Sequence, residues 1–153
     1  MSWADYANYL MAENCCEEGC IIGTNGAIWA SAPATFKLEC HKVSIDNEGK
    51  EECVDVDETK TLLEAVGHNG LAKSCKAGLR INKNKYMCIK WDEGVGYFKS
   101  GESAGGVIVV CTQCIVFARW NNKQKMGNGK PQNPGDCNKR AEDLAATLKG
   151  AGY

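Results

Sequence analysis

Only two histidines occur in 153 residues, which leaves little for acid–base catalysis. His41 stands in an acidic stretch and His68 just behind an apolar helical segment. Neither falls into a Ser-His-Asp pattern, so both read as solvated side chains. The paired carboxylates Glu17-Glu18 and Glu51-Glu52 fall in segments that read as solvated loops. Gly105-Gly106 and Gly127-Asn128-Gly129 lie outside any strand-to-helix turn that would make a phosphate loop. Charge of one sign is not in excess: 18 Lys and Arg against 19 Asp and Glu give a net charge of -1. A nucleic-acid binder carries a basic surplus, so no nucleic-acid partner is expected. The longest apolar runs, such as Val107 to Cys111, are about five residues, against about 20 for a membrane-crossing helix. The opening Met1-Ser2-Trp3-Ala4-Asp5 has no basic residue, and Asp5 and Glu13 interrupt any apolar stretch. It does not read as a secretory signal, and the cytoplasm is the expected compartment. No active site, cofactor or metal is expected, so a binding protein is the expected class and not an enzyme.

Cysteine, by contrast, is plentiful, with ten in the chain. In a reducing compartment these stay free thiols, and Cys88 and Cys111 sit in apolar runs as small hydrophobes would. Cys111-x-x-Cys114 is half of a zinc site without a second half, and a strand-like run follows it where a redox motif would open a helix. Free thiols flanking a turn are the plainer reading. A metal site built on Cys15, Cys16 and Cys20 needs a remote partner.

The chain has the size of one ordinary domain, with no internal repeat or dividing linker, so residues 1–153 are expected to form a single domain. Ser2 and Asp5 suit a capping box, and Trp3, Tyr6, Ala7 and Leu10 repeat on one helical stripe, predicting a helix from Trp3 to about Glu13. Asn25-Gly26 predicts a hairpin between Cys20–Thr24 and Ala27–Ser31. A further strand is expected over Phe36–Cys40. The acidic segment 41–56 reads as a surface loop or insertion. Asp57 or Thr59 caps a helix that Gly67 ends. Strands are predicted over Gly78–Asn82, Lys85–Trp91, Val95–Lys99, Val107–Thr112 and Ile115–Trp120, with a turn at Gly101–Gly106. Residues 121–135 form a polar loop, and Asp136 caps a closing helix that Gly150 stops. Short turns make the strands antiparallel, so the fold class is α+β: one antiparallel sheet with helices packed on its faces.

The aromatics are four Trp, five Tyr and three Phe, and Trp3, Tyr6 and Tyr153 sit at the extreme ends of the chain. Either the terminal helices pack on each other with these rings in the seam, or the rings line a shallow groove suited to a polyproline II ligand. Read together, Ser2-Trp3-Ala4-Asp5-Tyr6 with Asn8-Tyr9-Leu10-Met11 closely resembles the opening of profilins. Cys20-Ile21-Ile22-Gly23 followed by Ile28-Trp29-Ala30 resembles the family's tryptophan hairpin. Lys85-Tyr86-Met87 with Ile89-Lys90, Tyr97-Phe98-Lys99 with Ala104-Gly105-Gly106, and Asn138-Lys139 through Tyr153 continue the resemblance in order along the chain.

The resemblance implies a profilin-like fold, with the amino- and carboxyl-terminal helices on one face of a central antiparallel sheet and smaller helices on the other. It implies monomeric actin and proline-rich proteins as partners, promotion of nucleotide exchange on actin, phosphoinositide membranes as a further partner, and a monomer in the cytoplasm and cytoskeleton. Trp3, Tyr6, Trp29, Leu148 and Tyr153 match the poly-proline groove, and Thr147 stands where animal profilins often have His. Lys90, Lys99, Asn138, Lys139, Glu142 and Asp143 match the actin side, with Lys90 in place of the common Arg, which keeps the charge and loses the planar fork. Segments 41–56 and 121–135 are longer than the family leads one to expect, and no actin contacts are assigned over 41–80. Arg119, Lys123, Lys125 and Lys130 are the basic set for phosphoinositides. The alternatives are a proline-binding adaptor with weak or no actin binding, and a cysteine-rich thiol or metal protein.

Overall fold

The computed structural model describes residues 2–153. Helix α1 (Trp3–Met11) runs into a short 3-10 turn, Ala12–Asn14. Strands β1 (Glu18–Gly23) and β2 (Ile28–Ala32) form the first hairpin, and β3 (Cys40–Asn47) and β4 (Lys50–Asp57) the second. Helix α2 (Glu58–Gly67) is followed by β5 (Leu79–Ile81), β6 (Asn84–Asp92), β7 (Val95–Ser100), β8 (Ala104–Val110) and β9 (Cys114–Asn121). Helix α3 (Pro134–Gly150) closes the chain. Seven strands make one antiparallel sheet in the order β2-β1-β9-β8-β7-β6-β5, while β3 and β4 pair only with each other.

The central strands are apolar on both faces, because each face carries its own core layer. Ile21, Val107, Val109, Val116 and Ala118 point to one side and pack under α1 and α3, against Leu10, Ala141, Leu144, Ala145 and Leu148. Ile22, Ile108, Ile115 and Phe117 point to the other and pack under α2, against Leu62 and Ala65. Fully burying one such Leu, Ile or Phe contributes about 1.5–3 kcal/mol, so these two layers hold the sheet and set where the helix ends fall.

The α1 cap is as expected: the Ser2 hydroxyl accepts from the Asp5 N–H, and the Asp5 carboxylate accepts from the Ser2 N–H. Those bonds hold the Asp5 carboxyl below its ordinary pKa. For α3 the cap is Asn133 and not Asp136. Asn133 accepts from the Asp136 N–H, and Pro134 fills the first turn, where its missing N–H costs nothing.

Segment 41–56 is the main correction, being a regular hairpin and not a loop. Val43 faces Val54, and Asn47 faces Lys50 across a two-residue turn at Glu48-Gly49, both at positive φ. The alternation of Val43 and Ile45 with Val54 and Val56 was the strand signal, hidden by the acidic residues between them. No strand forms over Phe36–Glu39; Phe36 is buried under the sheet, and the strand begins at Cys40. Gly105 and Gly106 belong to β8 and not to a turn. Among the described residues one helix, α2, covers the second face, where smaller helices were expected.

Two supposed solvated groups are structural. His41 Nε2 lies 2.9 Å from Glu58 Oε2, and Glu58 is fully buried. The Glu58 carboxylate also accepts the main-chain N–H groups of Glu39 (3.0 Å), Asn82 (3.0 Å) and Lys83 (2.6 Å), tying the second hairpin to the β5–β6 turn. Glu18, on β1, is buried and accepts from the Asn82 amide, while Glu17 pairs with Arg119 at 3.0 Å. Burial pushes the Glu18 carboxyl up from its ordinary value. His68 is exposed at the end of α2, as expected.

Candidate functional site

Four aromatic rings from three separate parts of the chain meet on the α1–α3 side. Trp3 is the hub: its ring centroid lies 4.7 Å from Trp29, 4.9 Å from Tyr153 and 5.6 Å from Tyr6. Trp29 and Tyr153 lie 6.2 Å apart, edge to face. Each ring arrives for a local reason. The capping box sets Trp3 at the first position of α1, with Tyr6 one turn on along the same side. In the β1–β2 ladder Ile21 faces Ala30 and Ile22 faces Ile28, which leaves Trp29 as the extra residue of a bulge. A bulge re-aims a side chain, and here it turns the indole toward α1. Gly23 on β1 is required beneath it, because a Cβ there would lie 2.8 Å from the indole nitrogen.

Tyr153 is held by main-chain bonds. Its N–H donates to Leu148 O at 2.9 Å, and the Gln113 N–H donates to its main-chain oxygen. The Gln113 side chain also donates to Gly152 O at 2.7 Å. Gln113, on the β8–β9 turn, was not singled out from sequence, where nothing marks a turn amide as the anchor of a distant tail. Trp3, Tyr6 and Trp29 are half-buried and Tyr153 is 38% exposed, so the rings form a shallow apolar slot open to solvent. Leu148, on the inner face of α3, is fully buried, which corrects its expected place among the lining groups. Thr147 is exposed at the rim, but its hydroxyl donates to Asp143 O at 3.1 Å.

A second open surface lies at the other end of the sheet. Helix α3 packs over β8 and β9 and reaches β7 at Val95 and Tyr97, while Met87, Lys90 and Lys99 stay exposed on the same side. Lys90 faces Tyr97 and Met87 faces Lys99, which puts all four on this surface. Ile89 is the extra residue of a bulge between Cys88 and Lys90. Met87 is 66% and Ile89 68% exposed, an apolar pair beside Lys90 and Lys99; the sequence analysis placed the two lysines in a site but not this pair. The Tyr97 hydroxyl donates to Glu142 Oε1 at 3.1 Å and joins this surface to α3; burial, then Glu142, raises its pKa. Asn138, one turn earlier, has its side-chain oxygen buried and unpartnered among the described residues. Lys139 and Asp143 form an i,i+4 ion pair at 2.9 Å. They line a cleft with Tyr9, Glu13 and Arg140, so they do not join Lys90 and Lys99.

The expected basic set is divided. Lys123, Lys125 and Lys130 are exposed on the loop before α3, which buried Gln132 anchors through Asn121 N–H and Asn14 O. Arg119 is not part of it: its side chain is 9% exposed and donates to Glu17, the Tyr86 hydroxyl and Ser100. All ten cysteines are free thiols, and among the described residues no cluster of three His, Cys, Asp or Glu is placed to hold a metal. A cleft of about 670 Å³ between the second hairpin and α2 lies away from both surfaces. Shallow faces of this kind suit an extended peptide or another protein.

A family model described as Profilin matches residues 1–153. The profilin of Tetrahymena pyriformis is 40% identical over 154 residues, covering 99% of this chain and 98% of that protein. Among solved structures, Acanthamoeba castellanii profilin IA superposes with a TM-score of 0.72 at 23% identity, covering 99% of this chain and 100% of its own. Mouse profilin IIa in complex with a double repeat from the FH1 domain of mDia1 gives 0.60 at 18% identity, with 100% of both chains covered. The LokiProfilin1–rabbit actin complex gives 0.65 at 15% identity, covering 99% of this chain and 98% of that one.

Proposed function

The chain belongs to the profilin family, and on that premise we propose that it binds monomeric actin and proline-rich peptides on two separate surfaces. The observation that carries the reading is the convergence of Trp3, Tyr6, Trp29 and Tyr153 into one solvent-open slot. A polyproline II helix presents flat pyrrolidine faces and unsatisfied carbonyls, and it loses little entropy on binding because it arrives preformed. Aromatic rings meet the apolar faces, and their indole N–H and hydroxyl tips donate to the carbonyls.

Actin is assigned to the β6–β7 surface and the adjoining edge of α3. Met87 and Ile89 supply a desolvated centre, and Lys90 and Lys99 supply charge that steers an acidic partner. The groove borders β2 and the actin surface lies on β6 and β7, up to five strand spacings away in the sheet. At roughly 4.8 Å per spacing this is about 24 Å. Two such ligands fit together without overlap, which is what linking actin to proline-rich partners requires. The protein then regulates actin polymerisation and nucleotide exchange in the cytoplasm by binding alone, with no covalent step of its own. The exposed lysines of the 121–135 loop offer a weak attraction to phosphoinositide surfaces, about 1 kcal/mol per cation.

Retention on immobilised poly-L-proline and titration into fluorescent actin monomers test the two halves separately. Binding in both assays is expected. Retention without actin binding identifies a proline-binding adaptor, and failure in both assays overturns the reading.

A further inference from the structure

The β8–β9 turn carries two thiols and also holds the tail that places Tyr153. Cys111 donates its N–H to Cys114 O at 2.8 Å, so the two residues face each other across the turn. Both side chains are buried on the α1–α3 side, with Cys111 retaining 7% exposure. Residues so paired have Cα atoms about 5.5 Å apart, inside the roughly 4.4–6.8 Å range that a disulfide spans. Each thiol also touches the elements that end in Tyr153. Cys114 Sγ lies 3.8 Å from the main-chain oxygen of Tyr153, and Cys111 Sγ lies 3.9 Å from Ala145 O on α3. Gln113, between them, makes the two remaining bonds to Gly152 and Tyr153.

We propose that Cys111 and Cys114 form an oxidisable dithiol whose disulfide loosens the carboxyl-terminal tail and weakens the aromatic groove. The effect on ligand rests on the reading of that groove as a proline site; the oxidation does not. The two thiols have different roles. The Cys111 thiol is the more acidic: the adjacent Cys114 side chain, and then Lys149, hold it below its ordinary value against the opposing effect of burial. Cys114 is pushed up by its Cys111 neighbour and by burial. With hydrogen peroxide as oxidant, the Cys111 sulfur attacks one peroxide oxygen and the O–O bond breaks. Cys111 becomes a sulfenic acid, and its proton leaves in the first water. The Cys114 sulfur then attacks Cys111, the S–O bond breaks, and the Cys114 proton leaves in the second water. Two thiols are oxidised and one peroxide is reduced to two waters. The disulfide has no S–H to donate, so the contacts to Tyr153 and Ala145 are both lost, and Gln113 is pulled with its neighbours.

The pair is easily read by mass, since trypsin cleavage after Lys99 and Arg119 leaves Cys111 and Cys114 as the only cysteines in one peptide. The full-length protein is treated with peroxide, quenched, alkylated and mapped, and its tryptophan fluorescence and poly-L-proline affinity are measured before and after. The expected result is a peptide lighter by two hydrogens that resists alkylation, with changed fluorescence as Tyr153 leaves Trp3 and Trp29. The affinity is expected to fall about threefold, the effect of losing one modest contact. Reductant restores all three. Cys114→Ser keeps a donor toward Tyr153 but leaves no second thiol in the β8–β9 turn, so its fluorescence and affinity stay unchanged under peroxide. Alkylation of both cysteines in the treated wild type, or a disulfide that leaves the fluorescence unchanged, overturns the proposal. If the reduced protein does not bind poly-L-proline, the groove reading fails, while the mass and fluorescence results still decide the dithiol.

Discussion

Replacing Tyr6 with alanine separates a binding groove from a packing seam. Tyr6 is half-buried and makes one aromatic contact, to Trp3 at 5.6 Å and 50°. An aromatic pair contributes about 0.5–1.5 kcal/mol beyond area burial, so the folding cost stays near that range. Trp3 is a poor choice for the same test, because it touches three rings and its removal costs about 3–5 kcal/mol. If the slot holds a proline-rich peptide, Tyr6 covers one pyrrolidine face. Its loss is expected to cost about 1–2 kcal/mol of affinity, or about 5- to 30-fold in Kd. The assay is fluorescence anisotropy with a labelled proline-rich peptide, with a urea titration confirming the fold. Actin affinity should stay within about twofold, since Tyr6 lies on α1 and away from β6 and β7. A folded Tyr6→Ala protein with unchanged peptide affinity refutes the groove and leaves the rings as a packing seam.

Other perturbations address the remaining parts. Lys90→Glu should weaken actin binding about tenfold at low salt, less as ionic strength rises, and leave peptide binding intact; equal loss of both activities contradicts the surface assignment. Sedimentation with phosphoinositide vesicles should fall as salt rises and fall further when Lys123, Lys125 and Lys130 are replaced by Gln; salt-independent sedimentation contradicts an electrostatic contact. Glu18→Gln tests the buried carboxyl, whose folded pKa lies above its ordinary 4.5 because of burial. Both folded and unfolded forms are protonated below 4.5, and the group's contribution to stability is lost as pH rises through the folded value. Glu18→Gln should therefore gain in urea midpoint over the wild type between pH 4 and pH 7, and a gap that widens on acidification contradicts the sign.

The three helices, the Asn25-Gly26 hairpin and most strands were legible because apolar periodicity and caps are local signals. The hairpin over 40–57 was not, since its alternation of Val43, Ile45, Val54 and Val56 runs through a segment whose composition is that of a loop. Ring positions at Trp3, Tyr6 and Tyr153 were legible as an anomaly, but their meeting with Trp29 depends on a bulge, and a register shift leaves no mark in sequence. The same holds for Ile89, which the β6 bulge leaves exposed. Leu148 and Arg119 were misplaced for a common reason: spacing along a helix or strand gives the direction of a side chain relative to its neighbours, while depth depends on what packs above it. Glu58 and His41 lie far apart in the sequence and met only through folding.

The most direct test of the proposal that the protein joins two ligands is to offer both at once. A labelled proline-rich peptide is first saturated with the protein, and actin monomers are then titrated in while anisotropy is followed. With the two surfaces about 24 Å apart, anisotropy should rise to a second plateau, with the peptide retained in a larger complex. A fall toward the value of free peptide would mean that actin and peptide compete for one surface, and would contradict the account.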